Sequence, residues 1–256
     1  MANILGIPIF GRTFQGAIDE VIDTSGSSSR SNRLVSLTGA HGLVYAQKNP
    51  SFASVLKSFY LNLSDGKPNV WVGRHIKGAV DMEQVRGPSF FAAVMSQSSP
   101  KPIKHFLCGG KEGVADQLKV ACARKFGNTQ VVGTYCPPFR EMTDSELVDL
   151  GAAINATGAD VVWVGLSTPK QEIFAQRLAR YTHVHFLICV GAAFDFHIGA
   201  VKEAPIFLQK IGMEWAFRLA MEPRRLYRRY AEIVPAFIYY NVRDLLQDLS
   251  KGEEKK

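Results

Sequence analysis

The chain has 256 residues, 46% of them hydrophobic and 21% charged, with a formal net charge of +7 at pH 7. That length and apolar content suffice for one sizeable core with an appendage, and they exclude a chain that is disordered throughout. A basic balance suits an anionic partner, whether nucleic acid, a phosphate-rich substrate or an acidic lipid surface, without choosing among them.

The first dozen residues lack the charged start, apolar stretch and small-residue cleavage site of a signal peptide, and none is expected. The longest apolar runs, 186–194 and 233–240, fall short of the ~20 residues that span a bilayer. Short runs rich in Val, Ile, Leu and Phe predict strands over 34–38, 103–108, 130–134, 160–166 and 184–190. They lack strict alternation, as strands buried on both faces do. Amphipathic stretches predict helices over 40–47, 87–96, 112–126, 143–157 and 170–180. Strand–helix alternation of this kind predicts an α/β fold, a parallel sheet flanked by helices. Thr143 followed by Glu146 reads as a capping box, which accounts for Asp144 and Glu146 without a metal. After Gly199 strand signals stop. Residues 1–199 are expected to form the core and 200–250 a helical, basic appendage, with 251–256 a disordered charged tail.

Cys108, Cys122, Cys136 and Cys189 form no CxxC and no metal-ligand spacing, and read as reduced structural thiols. No HExxH or DxD appears either, so no bound metal is expected. His105 and His185 fall within strands and read as structural. His41 and His197 stand at strand ends with no evident partner.

Three loops fall at the carboxyl ends of strands, where open α/β sheets bind ligands. Gly109 and Gly110, in 108–113, let backbone approach a phosphate closely at a helix start. The run lacks the first glycine of a dinucleotide fingerprint, and a plain tight turn explains it as well. In the second loop, 165–172, Ser167 or Thr168 is expected to cap the helix, with Pro169 in its first turn. Lys170, Gln171 and Glu172 are not explained by capping and suggest ligand contact. In the third, Ser64–Asp65–Gly66, composition favours a turn; the functional reading is a carboxylate placed to act as general base.

Between Phe217 and Tyr230 lie Arg218, Arg224, Arg225, Arg228 and Arg229, against the single acid Glu222. Arg225, Arg228 and Arg229 share a helix face. Guanidinium groups suit phosphate, and arginine mixed with Trp, Tyr and Phe suits a membrane interface or nucleic acid better than a merely solvated face.

The segments GLSTPKQE (165–172), VGAAFDFHIG (190–199), Ala204–Pro205 and GMEWAFRLAMEPRRLYRRY (212–230), with Asp65–Gly66, together resemble the WecG–TagA–CpsF family of bacterial glycosyltransferases, glycosyltransferase family 26. The resemblance runs from Ile4 to about Leu246. It implies a Rossmann-like core of the GT-E type and an inverting, metal-independent, cofactor-free transferase at the cytoplasmic face of the membrane. The donor would be a UDP-sugar and the acceptor a polyprenyl-diphosphate-linked saccharide, in surface or exopolysaccharide synthesis. The appendage would dock on the anionic membrane surface and complete the active site. Asp65 would be the general base. Gly66, Gly109, Gly110 and Gln171 would line the donor pocket, and Arg218, Arg225 and Arg228 would contact the diphosphate. Many members carry Thr-x-Asn where this chain reads Leu37–Thr38–Gly39, and Glu-Arg-Val where it reads Glu83–Gln84–Val85. Thr38 and Arg86 are expected to substitute there, which leaves the donor sugar open. A homo-oligomer also stays open. The rival readings are a nucleotide-dependent oxidoreductase, from the Gly109 loop, and a nucleic-acid-binding protein, from the arginines. Both leave GLSTPKQE and FDFHIG unexplained.

Overall fold

A computed structural model describes residues 1–253, apart from the side chains of Lys210, Arg225, Leu249 and 251–253. The chain opens with a two-stranded hairpin, β1 (Ala2–Ile4) and β2 (Ile7–Ile9), turned through Leu5 and Gly6 at φ 53° and 75°. There follow α1 (Phe14–Ser25), β3 (Arg33–Thr38), α2 (Ala40–Lys48), α3 (Pro50–Ser58), β4 (Leu61–Ser64), α4 (Lys67–His75) and α5 (Gly87–Ser98). Next come β5 (His105–Gly109), α6 (Val114–Phe126), β6 (Val131–Tyr135), α7 (Asp144–Thr157), β7 (Val161–Gly165), α8 (Lys170–Leu178), β8 (Phe186–Cys189) and α9 (Ala193–His197). The C-terminal part is helical: α10 (Ile206–Ile211), α11 (Glu214–Met221) and α12 (Pro223–Glu253).

The main sheet is parallel throughout, in the order β4-β3-β8-β7-β5-β6. It is the Rossmann-like α/β architecture expected, with five of its six strands matching the predicted runs; β4 is the sixth. Both faces are covered, as a parallel sheet requires. On one side α1, α5, α6 and α9 pack on Val35, Leu107, Trp163 and Ile188. On the other, α7 and α8 pack on Leu34, Phe106, Val162 and Leu187.

Trp163 on β7 shows how the centre is built. Its ring meets Phe91 at 4.8 Å between centroids, and its Nε1–H donates to His105 Nδ1 at 3.2 Å. With Nδ1 accepting, Nε2 carries the proton and faces Ser98 Oγ at 2.9 Å. Burial pushes the His105 pKa down to about 3, so this imidazole is a neutral structural group.

The capping box at α7 forms as read: Glu146 N–H donates to Thr143 Oγ1 and Thr143 N–H to Glu146 Oε2. The start of α8 differs from the expectation. Pro169 takes the N-cap position, and no side chain caps the helix. The hydroxyl of Thr168 turns inward and donates to Glu172 Oε1 at 2.9 Å, which removes it from capping.

The C-terminal helix is rooted in the core. Ile233 and Phe237 of α12 are buried with Leu43, Val44, Phe52 and Leu56, beside Ile4, Ile7 and Ile9 of the hairpin. Residues 254–256 of the expected tail lie outside the described residues. No described helix is long and apolar enough to cross a membrane.

Candidate functional site

The crossovers define where a ligand site belongs. From β5 the chain moves outward to β6, whereas from β7 it moves the opposite way to β8, with α6 and α8 on opposite faces. This reversal leaves a crevice beyond the carboxyl ends of the strands. At its floor Gly109, at φ +148°, lies so close to β7 that a Cβ would stand 2.6 Å from Gly165 N. Gly110, at φ +76°, donates its N–H to Gly165 O at 2.9 Å, and a Cβ there would strike Val114 at 2.5 Å. Close approach to the β7 backbone therefore accounts for Gly109, and the Val114 side chain together with a positive φ accounts for Gly110.

Asp65 follows β4. Its N–H donates to Thr38 O at 3.2 Å, and its Oδ1 accepts from Gly87 N–H, the first residue of α5, at 3.0 Å. Gly87 reaches that place because it has no side chain; a Cβ would stand 2.8 Å from Val190 O. Asp65 is exposed to water at the carboxyl end of the sheet, yet many protein atoms lie around its carboxylate. This crowding strips part of the carboxylate's hydration and raises its pKa from 3.8 to about 7, against the Gly87 bond; Glu214 pushes the same way, while Arg86 and Arg218 oppose it. The neighbouring Gly66 caps α4 through its backbone, its carbonyl accepting from Asn69 and Val70 N–H.

Arg86 stands beside this carboxylate with its hydrogen-bonding capacity engaged. Nε and Nη2 pair with the two oxygens of Glu214, at 2.9 and 2.7 Å. Nη1 donates to Ser89 Oγ at 3.1 Å and to Gln209 Oε1. The residue thus fastens the segment before α5 to α10 and α11. Arg218, also on α11, lays its guanidinium 5.7 Å from the ring centroid of Phe196 and is close enough to Asp65 to favour its charged form. Its Nε is buried without a partner among the described residues. Arg228 is exposed on α12, and the Arg225 side chain lies outside the described residues.

Thr38 and Gln171 lie below the surface in a continuous polar relay. Gly191 N–H donates to Gln171 Oε1 at 3.0 Å, and Gln171 Nε2 donates to Glu172 Oε1 at 2.9 Å. The same oxygen accepts from Ser36 Oγ at 3.0 Å, and Thr38 Oγ1 stands 3.1 Å from Ser36 Oγ and 3.4 Å from Asn62 Oδ1. Burial raises the Glu172 pKa despite these bonds, and its Oε2 has no partner among the described residues. The relay ties the ends of β3, β4 and β8 to the first turn of α8.

His41, at the start of α2, places Nδ1 2.9 Å from Arg229 Nη2 of α12. Burial and that arginine bring its pKa down to about 4. His197 places Nε2 2.9 Å from Pro88 O and stacks on Phe91. Neither contact was evident from the sequence. Glu214, Gln209 and Gly87 also escaped it, because each acts through a partner more than 20 residues away.

A cavity of about 740 Å³ opens at the other end of the sheet, beside Ile103, Asp160 and His185. Its Arg30 is committed to Asp160 Oδ1 at 2.7 Å, and no residue of the carboxyl-end cluster reaches it. Among the described residues no three His, Cys, Asp or Glu side chains gather as metal ligands.

The class is set by fold and site together: an open parallel α/β protein with a carboxylate of raised pKa at its ligand-binding edge, faced by arginine from a C-terminal helical segment. A model of the Glycosyl transferase WecG/TagA/CpsF family matches residues 2–251, nearly the whole chain, and the chain belongs to that family. Membership indicates a glycosyltransferase of cell-surface polysaccharide biosynthesis and implies a sugar-nucleotide donor and a lipid-linked acceptor.

Proposed function

We propose that the protein is an inverting, metal-independent glycosyltransferase that moves a sugar from a UDP-sugar to a polyprenyl-diphosphate-linked saccharide in surface or exopolysaccharide synthesis. The observation that carries the reading is Asp65, an exposed carboxylate just after β4 that is held by Gly87 N–H and flanked by Arg86 and Arg218, with its pKa raised to about 7. A general base works best when its pKa lies near the working pH. Asp65 takes the proton of the acceptor hydroxyl as that oxygen bonds to the anomeric carbon; the bond from that carbon to the diphosphate breaks, and UDP leaves. Arg218, with Arg225 and Arg228, stabilises the charge that develops on UDP. Arg86 holds α11, and so Arg218, against the cleft. Thr38 and Gln171 shape the donor side from beneath, through the relay to Glu172, while Gly66, Gly109 and Gly110 let the backbone come close to the donor. Exposed Phe207, Ile211, Ile238, Val242 and Leu246 suit docking of the C-terminal helices on an anionic membrane surface at its cytoplasmic face.

The test is a donor screen: protein, detergent and a lipid-diphosphate-sugar acceptor, with released UDP quantified for each of a panel of UDP-sugars. Acceptor-dependent release from one donor is expected and names the sugar. A folded protein that releases no UDP from any donor overturns the proposal.

A further inference from the structure

Beside Asp65 lies a second, smaller cavity of about 310 Å³, lined by Lys67, Val70, Arg74, Glu83 and Gln84. It adjoins the carboxylate at two points. Gln84 Nε2 donates to the Asp65 carbonyl at 3.2 Å. Lys67 is two residues further along the chain, so the two Cα atoms are at most about 7 Å apart. Lys67, Trp71 and Arg74 fall at i, i+4 and i+7 of α4 and share one helix face. Both cations have capacity to spare: among the described residues Arg74 uses only Nε, on Met82 O, and nothing engages Lys67 Nζ. The one acid in the cavity, Glu83, has an oxygen taken by Phe14 N–H at 2.7 Å.

Trp71 is 58% exposed beside these cations, its ring 5.4 Å from that of His75. Gly212, at the end of α10, lies on the Lys67 stem, where a Cβ would stand 3.1 Å from Cγ. The exposed Ile211 next to it continues the apolar surface to Phe207. Two uncommitted cations next to an exposed indole and aliphatic side chains suit a ligand whose diphosphate is joined directly to a hydrocarbon.

We propose that the Lys67–Arg74 cavity binds the diphosphate of the lipid-linked acceptor, with Trp71 covering the first units of its hydrocarbon chain. The assignment rests on the transferase reading and separates two anion sites: the acceptor diphosphate on α4, the donor diphosphate on α11 and α12. A diphosphate held within about one sugar ring of Asp65 places the acceptor hydroxyl at the base.

The test is direct binding to the full chain without turnover, using a farnesyl-diphosphate-linked N-acetylglucosamine, UDP, and phosphatidylglycerol vesicles as probes. The double variant Lys67→Ala, Arg74→Ala is expected to bind the lipid diphosphate at least ~10-fold more weakly, since two charge-assisted contacts are lost. UDP and vesicle binding stay unchanged, and the swap Lys67→Arg, Arg74→Lys restores most of the affinity. Trp71→Ala weakens binding of farnesyl diphosphate and leaves inorganic diphosphate unaffected. Unchanged lipid-diphosphate affinity in the double variant overturns the proposal. So does a parallel loss for UDP, which makes these donor-site cations, or a loss confined to vesicles, which makes them headgroup contacts. Because binding is read without catalysis, a wild-type chain that binds selectively but releases no UDP refutes the transferase reading and leaves the cavity assignment standing.

Discussion

Arg86 and Glu214 meet through two parallel hydrogen bonds, Nε to Oε2 at 2.9 Å and Nη2 to Oε1 at 2.7 Å, across 128 residues of sequence. The pair ties the core to α11, and its two charges act on Asp65 in opposite senses: Glu214 raises the pKa and Arg86 lowers it. The link that fastens the C-terminal helices therefore also tunes the carboxylate assigned as base.

Breaking the pair from either side should move the pH dependence in opposite directions. The active form of the base is the carboxylate, so activity rises with pH through its pKa, near 7 in the wild type. Glu214→Gln removes a raising charge and shifts the rising limb of kcat/KM to lower pH. Arg86→Ala removes a lowering charge, leaves Glu214 behind, and shifts the limb to higher pH. The arginine variant also leaves a partly buried carboxylate unpaired, at a cost of about 1–3 kcal/mol. A pH–rate series on both variants checks the signs; parallel shifts remove the pair from this role.

Asp65→Asn keeps the shape and removes the base. The rate of UDP release should fall roughly 10²–10⁴-fold, with substrate binding retained. Stability should change the other way. A carboxylate whose folded pKa is raised from 3.8 to about 7 favours the fold while protonated, and that contribution is lost as pH rises through about 7. The asparagine variant should thus melt at or above the wild-type temperature at pH 8 and match it at pH 4; contact with water keeps the gain small. Thermal melts at the two pH values separate this from a generally looser fold.

Much of this was readable in the sequence because it depends on neighbours in the chain. Apolar runs mark β3, β5, β6, β7 and β8, and Thr143 with Glu146 marks the start of α7. Strand β4 was missed because Leu61–Ser64 is four residues long and carries Asn62, a polar side chain fully buried by donating to Pro8 O and Leu56 O. The β1–β2 hairpin was missed because its turn uses Leu5 at positive φ, where Gly or Asn is usual. At the site, the Asp-Gly turn was visible as a motif, but what surrounds it was not. Gly87, Glu214 and Ser36 act through partners distant in sequence, and no local pattern signals such pairing.

Two glycines should tolerate no side chain. Gly87→Ala places a Cβ 2.8 Å from Val190 O, and Gly109→Ala places one 2.6 Å from Gly165 N while holding alanine at φ +148°. Each should cost about 1–3 kcal/mol through overpacking, with backbone strain added at Gly109. In a chain of this size the overpacking alone lowers the melting temperature by roughly 2–12 °C. Gly66→Ala is the control: its Cβ would meet only Pro68 Cδ, at 3.6 Å, and the melt should barely move.

Glu172 should matter through the groups it holds. Glu172→Ala deprives Ser36, Thr168 and Gln171 of their shared acceptor. Buried donors left unpaired cost about 1–3 kcal/mol each, so a loss of at least about 2 kcal/mol is expected. Gln171 Nε2 would keep only its bond to Thr168 Oγ1 at 3.2 Å, so its oxygen should be held less firmly against Gly191 N–H. Donor KM should rise while acceptor KM stays. Glu172→Gln retains an acceptor oxygen and should restore most of the donor KM. Equal changes in both KM values would point to general loosening instead.

Removing the whole C-terminal segment is a poor test of its arginines, because Ile233 and Phe237 are buried against the hairpin, α2 and α3. A chain ending at Gly199 would expose that cluster and lose stability whatever Arg218 does. The clean test is Arg218→Ala in the full chain. Arg218 lies near Asp65, packs over Phe196, and belongs to a helix already fastened by Arg86. If it stabilises charge on departing UDP, kcat should fall roughly 10²–10³-fold with little change in melting temperature. Losing a cation that lowers the Asp65 pKa should also shift the rising limb of the pH profile upward. Arg218→Lys keeps the charge but not the planar fork and should recover only part of the rate. A full-rate Arg218→Ala variant would remove this residue from the transition state and leave Arg225 and Arg228 to supply the charge.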